Sequence, residues 1–456
     1  MNAVHRIVVA GFLAVVAAWP AYAVSVVEVK SAKGISAYLS EDHSSQVISV
    51  SFAFAGGTAV DPLDKQGLTE LGASLFNEGA GDLDSFAFQS ALEDRAISLG
   101  MSADLDTIRG SLTTTSLNLT EALRLTRLAL LQPRHEAEAI ERMRRELLVQ
   151  IAGRAEVPGR LASRKLNLEL FGGHPYSREQ EGTAESVQAL TRADVQTWAK
   201  TRLTRDRLLV GVSGDISADK LRDLLDTLFG DLPATGVGPS KVPATKVSTV
   251  GKTSRIFRDL TQSTILIGAP GLLRNDPDWY AATVADYIFG SGSFSSRLMN
   301  EVREKRGLAY TVRSGLSPLD SAGYFVISAG TRADKADESL RLIREEVVKM
   351  TAPGVTQAEI DGAKQFLTGA WPLRFTTTGR VAELLVQIQR DHLGLDYLDR
   401  RNKLIEAVTI ADVKRVAQRL YNPKVLTVVI VGPESAGVAS PSAKPAPNAK
   451  APAKKS

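Results

Sequence analysis

The sequence predicts an α+β fold made twice over, as two homologous domains that each pack a β-sheet with helices. Three observations carry this. LTRADVQTWAKTRLTRDRLLVGVSGD, from Leu190, matches VTIADVKRVAQRLYNPKVLTVVIVGP, from Val408, with Thr191/Thr409, Asp194/Asp412 and Gly214/Gly432 all offset by 218. Upstream, DPLDKQGLTELGASLFNEGAG from Asp61 parallels DPDWYAATVADYIFGSGS from Asp276. A period this long is beyond any solenoid repeat and marks a duplicated domain. The third observation is the join: PATGVGPSKVPATKVSTVGK, Pro233 to Lys252, has the Pro/Gly/Thr/Lys composition of a linker and sets domains at 24–232 and 253–434.

The two ends differ from the body. Residues 1–23 have a basic start (His5, Arg6), an apolar run from Ile7 to Trp19 and the small-x-small triplet Ala21-Tyr22-Ala23, which together predict a signal peptide cut after Ala23 and export to a periplasm. The apolar run is short of the roughly 20 residues a membrane span needs, so no transmembrane segment is expected once the signal is removed. From Ser435 the chain turns Ala/Pro/Lys/Ser-rich without apolar periodicity, and 435–456 are expected to be disordered. Arg6, Lys444, Lys450, Lys454 and Lys455 lie in these two segments, which contain no acid; without them the formal charge of +4 becomes −1. The body is near neutral, which argues against a nucleic-acid partner. Cysteine is absent, so an exported chain of 456 residues rests on its hydrophobic cores.

Within the first domain, three extended segments are predicted at Val26–Val29, Ile35–Leu39 and Val47–Ala55, closed by Gly56-Gly57. A helix from Lys65 to Glu78 places Leu68, Leu71, Leu75 and Phe76 on one face, with Gly79 as its stop. A second helix is expected over Ser85–Leu99, then strands within Ser102–Leu117 and helices at Thr120–Leu131, Glu136–Gly153 and Arg160–Phe171. The half closes with a helix capped by Thr191, a strand Arg207–Val212 and a helix capped by Ser217.

In the second half one stretch stands out: GSGSFSSRLMNEVREKRGLAY, Gly290 to Tyr310. A small-residue turn feeds a short helical run with Leu298, Met299 and Val302, Gly307 breaks it, and Leu308 begins an extended segment. Arg303 is thus set near a helix end and Tyr310 in a strand, positions from which a cation and a phenol can hold a carbonyl or a developing oxyanion.

With these motifs in place, the chain resembles the pitrilysin/insulinase family of metallopeptidases across nearly all of 24–434. The resemblance rests on GGTAVDPLDKQGLTELGASLFNEG, on His174-Pro175-Tyr176, on SSRLMNEVREKRGLAY and on the duplicated TxxDV…G ends. It implies two similar domains, each an antiparallel sheet packed by helices, forming one half of a clamshell that encloses a peptide. Active members carry HxxEH on a helix: two His one turn apart bind zinc and the Glu between them activates the metal-bound water. Here the matching positions are Glu70, Ala73 and Ser74, and the position of the third ligand, a later Glu, is Gln150. The five His, at 5, 43, 135, 174 and 392, form no H-x-x-x-H or H-x-H pair, so no metal ligands are assigned and no cofactor is expected in this chain. His174 is expected to cap or pack a loop. By the same resemblance Arg303 and Tyr310 match the pair that holds the scissile carbonyl, and Ser102-Ala103, followed by Asp104, fall where substrate backbone is paired as an added strand. The expectation is a zinc-free subunit, inactive alone, whose homologous partner supplies HxxEH and zinc while both enclose peptide substrates. A non-catalytic peptide-binding or scaffold protein, and an independent zinc peptidase with an atypical site, are the alternatives.

Overall fold

A computed structural model describes residues 25–434; the expected signal peptide and C-terminal tail lie outside the described residues. The first half runs β1 (Val27–Lys30), β2 (Ser36–Glu41), β3 (Val47–Ala55), α1 (Leu68–Ser74), α2 (Ser85–Glu93), β4 (Ser98–Ala103), β5 (Thr107–Thr115), α3 (Leu119–Leu131), α4 (Ala137–Arg154), α5 (Pro158–Phe171), α6 (Ala184–Ala189), α7 (Arg192–Arg202), β6 (Leu208–Gly214) and α8 (Ala218–Phe229). The second runs β7 (Thr253–Phe257), β8 (Gln262–Pro270), α9 (Trp279–Asp286), β9 (Ala309–Pro318), β10 (Gly323–Arg332), α10 (Ala336–Thr351), α11 (Gln357–Gly369), α12 (Thr378–Arg390), α13 (Tyr397–Glu406), α14 (Ile410–Leu420) and β11 (Thr427–Gly432).

The strands form two sheets, ordered β1-β2-β6-β3-β5-β4 and β7-β11-β8-β10-β9. Without β1 the two orders superpose strand for strand, which makes the duplication one of topology as well as of sequence. Each sheet is antiparallel except for one pair, β2 with β6 and β7 with β11. The parallel pair arises because the last strand of each half returns after a long helical excursion to lie between β2 and β3 in the first sheet and between β7 and β8 in the second. The repeated TxxD motif builds the same cap twice: Thr191 N–H donates to Asp194 and Asp194 N–H to Thr191 Oγ1, and Thr409 and Asp412 repeat both bonds.

Two predicted helices are shorter than expected. The segment expected to be helical over Ser85–Leu99 leaves the helix after Glu93, where Ala96 takes φ 48°; Ile97, Ser98 and Leu99 then alternate buried, exposed, buried as the chain enters β4. The helix expected over Lys65–Glu78 is confined to Leu68–Ser74. Gly67, at φ 89°, starts it against the Glu181 carbonyl, where a Cβ would come within 2.5 Å.

Strand alternation gives the second sheet two apolar faces. On β11, Val428 and Ile430 join a core with α14 and α10, while Val429 and Val431 join another with Leu166 and Leu170 of α5. Helix α5, from the first half, therefore covers the second sheet. Helix α12 does the reverse: Gln389 donates to Val210 O of β6 (2.7 Å), Thr378 and Ser49 hydroxyls meet at 2.9 Å, and Gly211 leaves room for the α12 backbone, since a Cβ there would lie 2.2 Å from Ala382 O. Each half thus lends the other a helix.

The hairpin tips of the two sheets meet between these helices. Tyr176 OH donates to Asp106 (2.6 Å) and accepts from Ser321 N–H, Asp320 N–H donates to Asp106 (3.1 Å), and Arg390 at the end of α12 pairs with Asp320 at 2.8 Å. Burial raises the Asp106 pKa above the usual carboxylate range, against the pull of Tyr176 and Arg390. His174 caps the adjoining turn as expected: its Nδ1 accepts from Tyr176 N–H and its Nε2 lies 2.9 Å from Pro243 O, the pattern of a neutral Nε2–H tautomer.

Asp286, the last residue of α9, is buried against Ser314 of β9, whose hydroxyl donates to it, and beside Tyr421. Burial pushes its pKa to about 6, against the hydrogen bonds from Ser314 and Ser291.

Gly211→Ala should destabilise the fold by roughly 2–4 kcal/mol because the α12 backbone cannot yield. Gly153→Ala, on exposed α4 with nothing near the added carbon, should be neutral or stabilising by up to about 1 kcal/mol; paired thermal melts check both. Because the folded state holds the Asp286 proton more tightly than the unfolded chain, its contribution to stability falls as pH rises from about 4 through about 6. Asp286→Asn should flatten that slope and raise stability at pH 7 by on the order of 2 kcal/mol, read from melts across pH 4–8.

Candidate functional site

The helix that would carry a zinc motif is α1, and its neighbours fix how its side chains point. Asp61 accepts from both N–H and Oγ1 of Thr69 (2.9 and 2.6 Å), Trp198 Nε1 donates to Thr69 Oγ1, and Gly72 lets the Trp198 ring lie flat against the helix. Of the four positions singled out in the sequence, only Glu70 presents a strong Lewis base, and it is half-buried. Ala73 is a buried methyl. Ser74 is exposed and donates to Leu71 O at 2.8 Å, and Gln150 is exposed on α4. Among the described residues no group of three or more His, Asp or Glu converges as a metal site needs. The residues present do not fit a catalytic zinc.

A protein cation stands nearby instead. Arg154, at the end of α4, faces Glu70 and forms an ion pair with Glu181, both partners largely buried. Burial raises the Glu70 pKa, Arg154 opposes the rise and Asp61 adds to it. Arg154 and Glu181 went unnoticed in the sequence because their meeting depends on the loop that brings Glu181 over Gly67.

Ser102 and Ala103 lie on β4, the free edge of the first sheet, against which α1 packs. Asp104 N–H donates to Thr107 O (2.9 Å), and the β4–β5 register continues that hydrogen-bonded pairing through Ser102/Arg109 and Gly100/Ser111. The Ser102 backbone is therefore spent on the ladder. It is Ala103 and Met101 whose N–H and C=O face outward to an added strand, while Asn77 Nδ2 reaches the third outward carbonyl, Leu99 O.

Arg303 and Tyr310 belong to the second sheet. Strand β9 is its edge, equivalent to β4 in the first. The β9–β10 register steps from Thr311/Gly330 to Ala309/Thr331, so Tyr310 is the extra residue of a β-bulge, and its side chain is 60% exposed. Bulges re-aim side chains in this way. Arg303 lies in a π-helical turn, Met299–Glu304, closed by Gly307 at φ 62°, whose N–H donates to Arg303 O. Its guanidinium stacks over Phe294, 5.1 Å from the ring centroid, with Nη1 3.8 Å from Met299 Sδ and Nε 3.8 Å from a Glu304 oxygen. Arg303 and Tyr310 make no hydrogen bond to each other among the described residues. Ser102 and Ala103 are brought beside α1, not beside this pair.

Each sheet also bears a cleft next to its borrowed helix. One, of ≈ 550 Å³, lies between β3, β4 and β5 and the start of α12, and includes Ser102, Arg109 and Arg380. The other, of ≈ 770 Å³, lies between β8, β9 and β10 and the start of α5, and includes Met299, Arg160 and Arg313. Arg313 was legible from alternation, since Val312 and Ser314 point inward on either side of it. Arg160 was not, because the sequence does not say that α5 crosses to the other sheet.

Comparison with known proteins agrees with this geometry. Residues 189–367 match the Peptidase M16 inactive domain. The chain is 28% identical over 342 residues to the non-peptidase homolog YmxG of Helicobacter pylori, covering 74% of this chain and 78% of that protein. A peptidase M16 inactive domain from Pseudomonas fluorescens superposes with a TM-score of 0.85 at 26% identity, over 90% of this chain and 99% of that one. The periplasmic protease PqqL of Escherichia coli shares the fold at a TM-score of 0.77 and 14% identity, with 90% of this chain lying on 46% of PqqL. In sequence over 189–367 and in fold over most of its length the chain is similar to the Peptidase M16 (pitrilysin/insulinase) inactive-domain proteins, with Glu70, Ala73 and Ser74 at the zinc-motif positions.

Proposed function

We propose that this chain is the zinc-free subunit of a two-chain periplasmic peptidase. A homologous partner supplies HxxEH and its zinc, and this chain closes the peptide chamber. The observation that carries the reading is an asymmetry between the two sheets. Beside the first, the metal-ligand positions hold a half-buried carboxylate that faces Arg154, an exposed hydroxyl and an exposed amide, and the base position holds a methyl. On the second, a cation and a phenol are kept at the surface by a π-turn and a β-bulge. Such local irregularities have a backbone cost and are kept where they aim a side chain at something.

In the complex, a zinc held by the partner's HxxEH would supply the activated water. Tyr310 donates its phenolic hydrogen to the carbonyl oxygen of the scissile bond as charge builds there, and the Arg303 guanidinium stabilises that charge from the neighbouring turn. Its stacking on Phe294 orients it without neutralising it. The free edge of β4, through Met101 and Ala103, offers backbone pairing to an extended substrate. Residues 1–23 direct export, the signal being removed after Ala23. The periplasmic PqqL neighbour is compatible with that location, and among the described residues no helix is long and apolar enough to cross a membrane.

Purified alone, the chain should contain well under 0.1 zinc per molecule by elemental analysis and cleave no peptide. Mixed with an HxxEH-bearing homologue from the same organism, it should form a complex with one zinc and peptidase activity. Stoichiometric zinc in the isolated chain would sink this reading, whereas peptide binding with no activity in any mixture would favour the scaffold alternative. Within the complex, Arg303→Ala and Tyr310→Phe should each lower kcat by about 10²-fold with little change in KM, the pattern of a contact made chiefly in the transition state. Unchanged kcat in both variants would remove their role.

A further inference from the structure

The two clefts beside the exchanged helices are related by the duplication, yet their electrostatics differ. In the first, Arg109 pairs with Asp104 at 2.6 Å and lies 3.6 Å from Glu383, so its charge is met within the chain. In the second, Arg160 and Arg313 project into a cavity of ≈ 770 Å³ whose lining contains no Asp or Glu. Among the described residues neither guanidinium forms an ion pair; Arg313 Nε has only the Ser328 hydroxyl, at 3.4 Å, and both residues are exposed. The segments outside the described residues contain no Asp or Glu, so no other acidic side chain of this chain is left to neutralise them. The cleft also receives the first turn of α5, where Pro158 follows an N-cap, Val157, that supplies no side-chain hydrogen bond, leaving the positive end of a 14-residue helix open to the cavity. Hydroxyls of Ser163, Thr264 and Thr311 supply further donors.

We propose that this second cleft binds a carboxylate of the peptide substrate. The proposal rests on the reading of the chain as half of a peptide chamber, and it names what that chamber selects. Two guanidiniums without a carboxylate partner, in a concave site that also holds hydroxyls and an uncapped helix start, form a donor-rich surface with no carboxylate in its lining. Such a surface favours an anion over a neutral isostere and disfavours a lysine. Met299, whose sulfur contacts Arg303, lines the same cleft. The carboxylate is therefore held next to the turn that presents Arg303 and one residue from Tyr310 at Thr311. It comes from an Asp or Glu side chain or from the free C-terminus of the peptide.

Fluorescence anisotropy on the full mature chain, without a partner, tests this with four dye-labelled decapeptides of one Ala/Ser/Gly background. These carry three Glu with an amidated C-terminus, three Gln with an amidated C-terminus, three Gln with a free C-terminus, and three Lys with an amidated C-terminus. The Glu peptide or the free-carboxylate peptide should bind about tenfold or more tighter than the amidated Gln peptide, whichever leads identifying the source of the carboxylate, and the Lys peptide should bind weakest. Arg160→Ala and Arg313→Ala should each erase about tenfold of that preference, while Arg109→Ala in the other cleft leaves it intact. Equal affinity of wild-type protein for all four peptides overturns the proposal without recourse to any variant, as does a preference untouched by both Arg160→Ala and Arg313→Ala. Because no cleavage is read, failure here is distinct from failure to find a catalytic partner.

Discussion

The constraint on which the rest of the molecule depends is the reciprocal loan of α5 and α12. The helices of each half cover one face of their own sheet, and the helix lent by the other half packs on the second face. Leu166 and Leu170 are all but inaccessible to water against the second sheet's strands, and Leu385 lies over Gly211 of the first; each such leucine contributes on the order of 2 kcal/mol. The geometry is tight enough that glycine is needed where the α12 backbone meets β6. The hairpin tips then lock through Tyr176, Asp106, Asp320 and Arg390, so the edge strand that carries Ser102 and the one that carries Tyr310 are fixed relative to each other by packing and not by the connecting segment.

Much of the local architecture was legible in the sequence because it is written in short-range chemistry. Thr191-x-x-Asp194 and Thr409-x-x-Asp412 announce capping boxes, Val47–Ala55 alternates as a strand, and the offset of 218 announces a repeat. The failures share a cause: tertiary context decided them. Ile97 and Leu99 fit the apolar face of a continuing helix as well as they fit a strand, and only the edge of the sheet made them β4. The apolar face of α5 said that the helix is buried, but periodicity cannot name the sheet that buries it. Ser102 was singled out for strand addition, whereas the pairing parity turns its N–H and C=O inward and leaves those of Ala103 and Met101 facing outward. Tyr310 was placed in a strand, and what lifts it out of the ladder is a bulge that no local signal marks.

The α1 region shows what becomes of a helix when the residues of a metal motif are replaced. A carboxylate left half-buried after the loss of neighbouring ligands is costly unless a cation is near. Arg154 is that cation, and Glu181 shares it. The region is thereby turned from a place that could exchange ligands with solvent into an ion-paired cluster. The second sheet has gone the other way, with a donor-rich cleft left unneutralised and an arginine stacked on an aromatic ring with only a long contact, 3.8 Å, to Glu304. Charge is satisfied internally beside one sheet and left outward-facing on the other.

The helix loan also dictates an order of events during synthesis. The strands of the first sheet emerge from the ribosome long before residues 378–390, so that sheet must wait, with one side bare, for nearly the whole polypeptide to appear. A nascent chain in that condition stays sticky and unfinished, which favours keeping it extended until it is complete. A protein that threads through a secretion channel before folding meets that requirement by default.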